Sequence, residues 1–372
     1  MITLFDETGT VEGLAQLLTE LELQPLVRGA LILAAEGNGF TPETVDALLG
    51  ASALPLMGGI FPLVIFKGRH YTQGTVVCGI DVMPEVVVIP GMSDPDMDYE
   101  YFLEKEFYPT CKRGTLWLWV DGLATRTEAL LRGWFNLYGL DYNVIGGGAG
   151  SASFEPMPCL FTNDGLLQDK AVIALLDMPS GVGVSHGWQS VNGPFRVTET
   201  EGKAIKSLDW QPAISVYRKV VEKASGEKLT TENFGELATR FPFGINRFGG
   251  EKIVRDPIVL RSDGALVCLG DVPSDAYVEI LTGSHGSLID ASVAALAMAQ
   301  QNLGFSDQPR TALLIDCVTR ERFLGDSYGD ELAALVTPNI TLVGALTLGE
   351  IANSGKDLLE LYNRTSVVGL FN

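Results

Sequence analysis

The chain has 372 residues, 46% of them hydrophobic and 19% charged, which is too apolar and too sparsely charged for intrinsic disorder. Its 26 basic and 46 acidic residues leave a formal charge of −20, which opposes binding to the phosphate backbone of nucleic acids. The length predicts two domains or one large layered domain. Cys78, Cys111, Cys159, Cys268 and Cys317 are odd in number and scattered, without a C-x-x-C pair. That pattern argues against a disulfide framework or a thiolate zinc site and predicts a reducing compartment. Residues 1–7 lack the cationic and apolar regions of a signal peptide, and no apolar run reaches the length of a membrane span. The expectation is therefore a cytoplasmic protein without membrane insertion.

Thr10 reads as the N-cap of an opening helix with Leu14, Leu17, Leu18 and Leu21 on one face. From residue 29 a pattern begins and returns. Its first occurrence is an apolar strand at 30–34, a short helix opened by Thr41-Pro42-Glu43, a strand at 56–60, and further strands at 63–66 and 75–79. The second has a strand at 115–121, a helix over about 125–138, a strand at 144–148 and another at 171–176. The third has strands at 311–316, 342–345 and 366–371 with a helix around 331–336. This repetition reads as internal duplication, with Asp121 and Asp316 at matching strand ends ahead of Arg126 and Arg320.

Between the second and third occurrences, Asp209-Trp210-Gln211-Pro212 opens a helix that stops near Gly226. Residues 226–250 are polar and glycine-bearing, the composition of a domain junction. Strands follow at 258–260, 265–269 and 277–281, the first two separated by the turn Ser262-Asp263-Gly264. The alanine-rich stretch 290–303 is then a helix with a small-sided face suited to close packing on a sheet.

Gly146-Gly147-Gly148-Ala149-Gly150-Ser151 has the backbone freedom of a phosphate loop, but Pro156 and Pro158 follow where a helix would have to open. The glycines serve either a turn and backbone packing or the lining of a ligand pocket. Gly183-Val184-Ser185-His186-Gly187 matches the letters of a nucleophile elbow, with Asp271 and His285 downstream in the order of a hydrolase triad, yet no helix signal follows Ser185. His70, His186 and His285 are isolated from one another, which leaves a single axial bond to a haem iron as the metal chemistry open to them. His186 beside Trp188 and His70 beside Tyr71 are the better placed, ahead of ligation by Cys159 or Cys317. The acids Asp94, Asp96, Asp98, Glu199 and Glu201 read as solvated surface charge.

Val144 to Ser151, His186-Gly187-Trp188, Arg196-Val197-Thr198 and residues 210–217 together resemble the N-terminal part of FIST proteins. Asp316-Cys317-Val318-Thr319-Arg320, Gly349-Glu350-Ile351 and Tyr362-Asn363-Arg364-Thr365 resemble the C-terminal part. The resemblance implies an intracellular sensory domain of signal transduction that binds small molecules such as amino acids and is not an enzyme. One branch of the family binds haem, responds to nitric oxide and regulates a separate histidine kinase, which gives the haem alternative its weight. No output domain is recognised in this chain, so a signal is expected to pass through a partner such as a histidine kinase or through a homo-oligomer.

These readings predict an α/β protein of mixed sheets covered by helices, layered as two related halves built from duplicated strand-helix-strand units. The expected divisions are an N-terminal helix at 1–25, a FIST N-terminal domain at 26–225 and a FIST C-terminal domain at 226–372. The leading expectation is a small-ligand sensor with a pocket between the halves. On the motif carry-over, Gly146, Gly147, Gly148 and Ser151 admit the ligand to the backbone, Arg320 forks onto a carboxylate and Glu350 holds an ammonium. His186 and Trp188 complete the wall. The alternatives are a haem sensor using His186 or His70, and a serine hydrolase using Ser185.

Overall fold

The computed structural model describes residues 1–247, 250–304, 308–353 and 358–372. They form two compact units. The larger draws on residues 1–184, 292–361 and 366–372, the smaller on 185–291 and 362–365.

Three mixed six-stranded sheets make up the larger unit, and each is centred on the repeat read from the sequence. In the first, Gly29–Ala35 runs parallel to Leu56–Phe61 and antiparallel to Thr75–Ile80. The crossover helix Pro42–Ala51 has a capping box from Thr41 and a proline in its first turn. In the second, Gly114–Asp121 runs parallel to Tyr142–Ala149 and antiparallel to Lys170–Leu176, with helix Thr127–Tyr138 in the crossover. In the third, Thr311–Cys317 runs parallel to Thr341–Thr347 and antiparallel to Ser366–Phe371. Two short helices, Val318–Leu324 and Tyr328–Leu335, fill that crossover.

The three sheets exchange strands in a cycle. Val64–Phe66, which follows the first repeat, pairs with Thr341–Thr347 of the third. Glu350–Ala352, which follows the third, pairs with Tyr142–Ala149 of the second. Leu160–Thr162, which follows the second, pairs with Leu56–Phe61 of the first. Each repeat thereby covers the open edge left by another, which removes three unpaired strand edges at once.

Side-chain alternation on Gly114–Asp121 shows how the layers meet. Leu116, Leu118 and Val120 face the helix layer, where they pack with Leu130, Leu131 and Trp134. Trp117 and Trp119 point to the other face and meet Phe371 and Phe61, which belong to the other two sheets, edge-on at 5.6 and 5.4 Å. The expected small-sided packing is also present. On the strand Gly181–Ser185, a Cβ at Gly183 would lie 1.9 Å from the carbonyl oxygen of Ala295, and one at Gly181 1.9 Å from that of Ala299. The helix His285–Leu303 can approach that strand only because both positions lack a side chain.

The smaller unit is an antiparallel eight-stranded sheet. Its central strand Gln189–Glu201 pairs with Ala204–Leu208 on one side and Tyr277–Thr282 on the other. Helix Ala213–Ser225 packs through Val216, Tyr217, Val220 and Val221 and ends at Gly226, whose left-handed φ of 75° caps it. The polar stretch after Gly226 is folded rather than open. It contains helix Phe234–Arg240 and strand Phe243–Ile245, with Phe234, Leu237 and Phe243 buried, while residues 248 and 249 lie outside the described residues.

Strands Ile2–Asp6 and Glu85–Pro90 and helices Tyr99–Glu106 and Val318–Leu324 have no counterpart in the sequence reading. The acids at 94–98 are accordingly more than surface charge. Asp98 caps helix Tyr99–Glu106 by accepting from the Tyr101 N–H at 3.0 Å, and Asp94 accepts from the Asp96 N–H at 3.0 Å.

Candidate functional site

Gly146, Gly147, Gly148, Ser151, Arg320 and Glu350 belong to the larger unit, His186 and Trp188 to the smaller. The glycines lie within the strand Tyr142–Ala149, and the space a side chain would take is filled by backbone. A Cβ at Gly146 would sit 1.8 Å from the Leu118 carbonyl oxygen, and one at Gly148 2.5 Å from that of Leu348. Glu350 is the register partner of Gly147, and its buried carboxylate accepts from the Thr347 hydroxyl at 3.0 Å. Ser151 accepts from the Ser153 N–H at 3.1 Å.

Arg320 is fully buried between two acids. Its Nε stands 3.0 Å from Asp316 Oδ1, and Nη2 pairs with Glu331 and donates to the Ser292 hydroxyl at 2.9 Å. Tyr328, also buried, joins the cluster. Burial first, and then the neighbouring Glu331 charge, push the Asp316 carboxyl up to about 8 against the pull of Arg320. A protonated Asp316 leaves one guanidinium facing one carboxylate, which is the neutral way to bury this set. The predicted fork of Arg320 onto a ligand carboxylate is thus matched by an internal pair of carboxylates.

In the smaller unit, His186 Nδ1 accepts from the Trp188 N–H at 2.8 Å, and Nε2 stands 3.4 Å from Glu251 Oε1. Both ring nitrogens face protein groups, so His186 does not fit as an axial haem ligand. His70 is exposed on the short edge strand Arg69–Tyr71, its ring 5.5 Å from that of Tyr328, a poor match to the apolar walls a porphyrin needs. Burial raises the thiol of Cys159 well above its usual value, which disfavours a ligating thiolate there. Cys317 is buried with its Sγ 3.0 Å from the Thr319 hydroxyl. Among the described residues no group of three or more His, Cys, Asp or Glu could hold a metal ion.

The elbow reading of Ser185 is overturned by its surroundings. The strand Gly181–Ser185 leads into another strand, Gln189–Glu201, where an elbow needs a helix. The Ser185 hydroxyl donates to Glu251 Oε1 at 3.2 Å, where a hydrolase triad would have it donate to an imidazole. Trp188 is covered by Arg364, whose guanidinium lies 4.8 Å from the ring, pairs with Asp256 and donates to the Thr239 carbonyl at 2.7 Å. These contacts tie the Tyr362–Thr365 segment into the smaller unit.

A concavity lies elsewhere in the smaller unit. A cavity of about 320 Å³ opens between helix Ala213–Ser225 and the strand Gln189–Glu201, and its walls include Asn192, Phe195, Gln211, Ser215, Lys219 and Lys223. Asp209 also lines it, and Val216 and Val220 supply an apolar side. Lys219 and Lys223 are one helical turn apart on the same face, an arrangement that costs an isolated helix about 0.2–0.5 kcal/mol through like-charge repulsion. Between them Glu222 accepts from the Leu229 N–H at 3.0 Å and forms no ion pair with either lysine among the described residues. Asp209 likewise accepts from the Arg196 N–H at 2.9 Å.

The rim is strained. Asp209 and Trp210 both take left-handed φ, 49° and 60°, which is unfavourable for residues with side chains, and Trp210 is 75% exposed. The turn is held by the Trp210 N–H donating to the Thr198 hydroxyl at 3.1 Å and by the Arg196 guanidinium 5.6 Å from the indole. Sequence reasoning singled out Gln211 and Ser215 only as motif letters and missed Lys219 and Lys223. The signal was available as an i, i+4 lysine pair flanking the apolar face of a helix that stops at Gly226.

Residues 30–211 match the family model of the FIST N domain, and residues 213–353 that of the FIST C domain. No curated protein matches the chain. Among the described residues no helix is long and apolar enough to cross a membrane.

Proposed function

The chain belongs to the FIST family, whose domains are sensory signalling modules rather than catalysts, and from that premise we propose that it senses a small molecule in the cavity beside helix Ala213–Ser225. The observation that carries the reading is the pairing of that cavity with a strained, solvent-facing turn at Asp209-Trp210, inside the segment where the FIST N match ends and the FIST C match begins. The turn is the two-residue hairpin between Ala204–Leu208 and Gln211–Pro212, which needs positive φ at both central residues and takes them here from Asp209 and Trp210 rather than from glycine. The volume is at the lower end of ligand pockets, suited to a metabolite of modest size.

The mechanism is a population shift. A ligand that touches both the helix and the strand favours the arrangement in which the two are correctly spaced, by the difference in its affinity for that arrangement and the alternatives. The favoured state is then read by a separate signalling partner, such as a histidine kinase.

Trp210 supplies the assay. Trp117, Trp119, Trp134 and Trp188 are buried, so collisional quenching by acrylamide reports on Trp210. Screening the full chain against a metabolite panel by calorimetry is expected to yield at least one compound that releases heat and changes the quenching of Trp210. A panel with no heat and no change in quenching overturns the reading.

A further inference from the structure

We propose that the ligand of this cavity is a small organic dianion of the dicarboxylate class, an inference that rests on the cavity being the sensory site. In a chain of formal charge −20, the cavity wall carries two lysines and a single carboxylate. No ion pair of Lys219 or Lys223 is formed among the described residues; Asp209 and Glu222 accept from backbone N–H groups, and Glu227 pairs with Arg240.

Further positive potential comes from the helix start. Pro212 at the N-cap gives no side-chain cap and the first turn holds no acid, so the positive end of the helix dipole lies at the end of the cavity lined by Gln211 and Ser215, with Asp209 the one carboxylate in the wall. An anion bound there removes the repulsion between the two ammonium groups and complements the dipole.

The number and spacing of the cations select a ligand with two acidic groups. Side chains at i and i+4 leave the helix about 5–6 Å apart, so each ammonium can hold its own carboxylate. Between them the apolar surface of Phe195, Val216 and Val220 suits a short carbon chain. Asn192, Gln211 and Ser215 then supply neutral hydrogen-bonding groups for the remaining lone pairs.

The test uses the full chain with succinate, its neutral isostere succinamide, and inorganic phosphate, read by calorimetry and by acrylamide quenching of Trp210. Succinate is expected to bind at least tenfold more tightly than succinamide or phosphate. Lys219→Gln and Lys223→Gln should each weaken it by at least tenfold, with the circular dichroism of the protein unchanged. Both lysines are on the exposed side of the helix, so these variants are expected to fold. Raising the salt concentration should weaken binding further, as it does for any partly exposed charge pairing. Equal binding of succinamide, tighter binding of phosphate, or unchanged affinity in both lysine variants overturns the dicarboxylate assignment. If a neutral metabolite binds and moves the Trp210 signal while succinate does not, the cavity remains the sensory site and only the dianion inference falls. If no compound does either, both fall.

Discussion

Asp316, Arg320 and Glu331 show what a single residue's environment can do. Each is buried completely, and only proton uptake by one carboxylate leaves the cluster without a net charge. The Asp316 carboxyl titrates in the folded chain at about 8, against an ordinary value of 3.8, because burial and Glu331 outweigh Arg320. The folded state therefore holds a proton that the unfolded chain has already released over most of the interval between. Stability from this group is full below the ordinary carboxylate value and is lost as pH rises through about 8. In Asp316→Asn the side chain cannot ionise, so the variant should gain on the wild type as pH rises from about 5 to 8. Urea unfolding of both proteins across that range measures it, and a stability difference that does not vary with pH would refute the assignment.

At the scale of the element, close approach is set by what is missing. Helix His285–Leu303 lies against Gly181–Ser185 with Ala295 and Ala299 facing Gly183 and Gly181, leaving no room for even a methyl group. Gly183→Ala must push the helix outward or distort the strand, and overpacking of this kind costs about 1–3 kcal/mol. A fall in the denaturant midpoint at constant m-value is the expected outcome, and an unchanged midpoint would show that the contact yields freely. Within Tyr142–Ala149, Gly146 and Gly148 serve the same purpose, admitting the backbone of Leu118 and Leu348. A glycine run that invites a ligand reading from its letters is here occupied by neighbouring chain.

The whole molecule is a closed exchange of strands. Residues 64–66 complete the sheet of the third repeat, and residues 350–352 extend that of the second. A fragment of residues 1–225 keeps the first and second repeats but loses the strands that the third supplies and the sheet that receives Val64–Phe66. It is expected to show no cooperative thermal transition by circular dichroism, whereas the full chain should show one. A cooperative transition in the fragment would mean that two repeats suffice. Family matches that meet at residues 211 and 213 thus divide one chain whose larger compact unit draws on both sides of the division.

Local order was legible in the sequence wherever a short-range rule governs it. The Thr10 cap with its Leu14, Leu17, Leu18 and Leu21 face, the Thr41-Pro42 helix start, the Gly226 stop and the core strands of all three repeats depend on neighbours within a few residues, and each was found. The repetition was legible because each copy must bury a similar strand and helix. Tertiary structure alone decided which strand completes which sheet, since a three-residue strand such as Val64–Phe66 carries no label for a partner nearly 280 positions away. It also decided the fate of the polar residues. Arg320 was turned inward to meet Asp316 and Glu331, and Ser185 was placed beside Glu251, while Lys219 and Lys223 came to line a cavity whose opposite wall lies on another element. Charge and hydrogen-bonding capacity are written in the residue, but whether they meet a partner, solvent or an open space depends on chain that is distant in sequence.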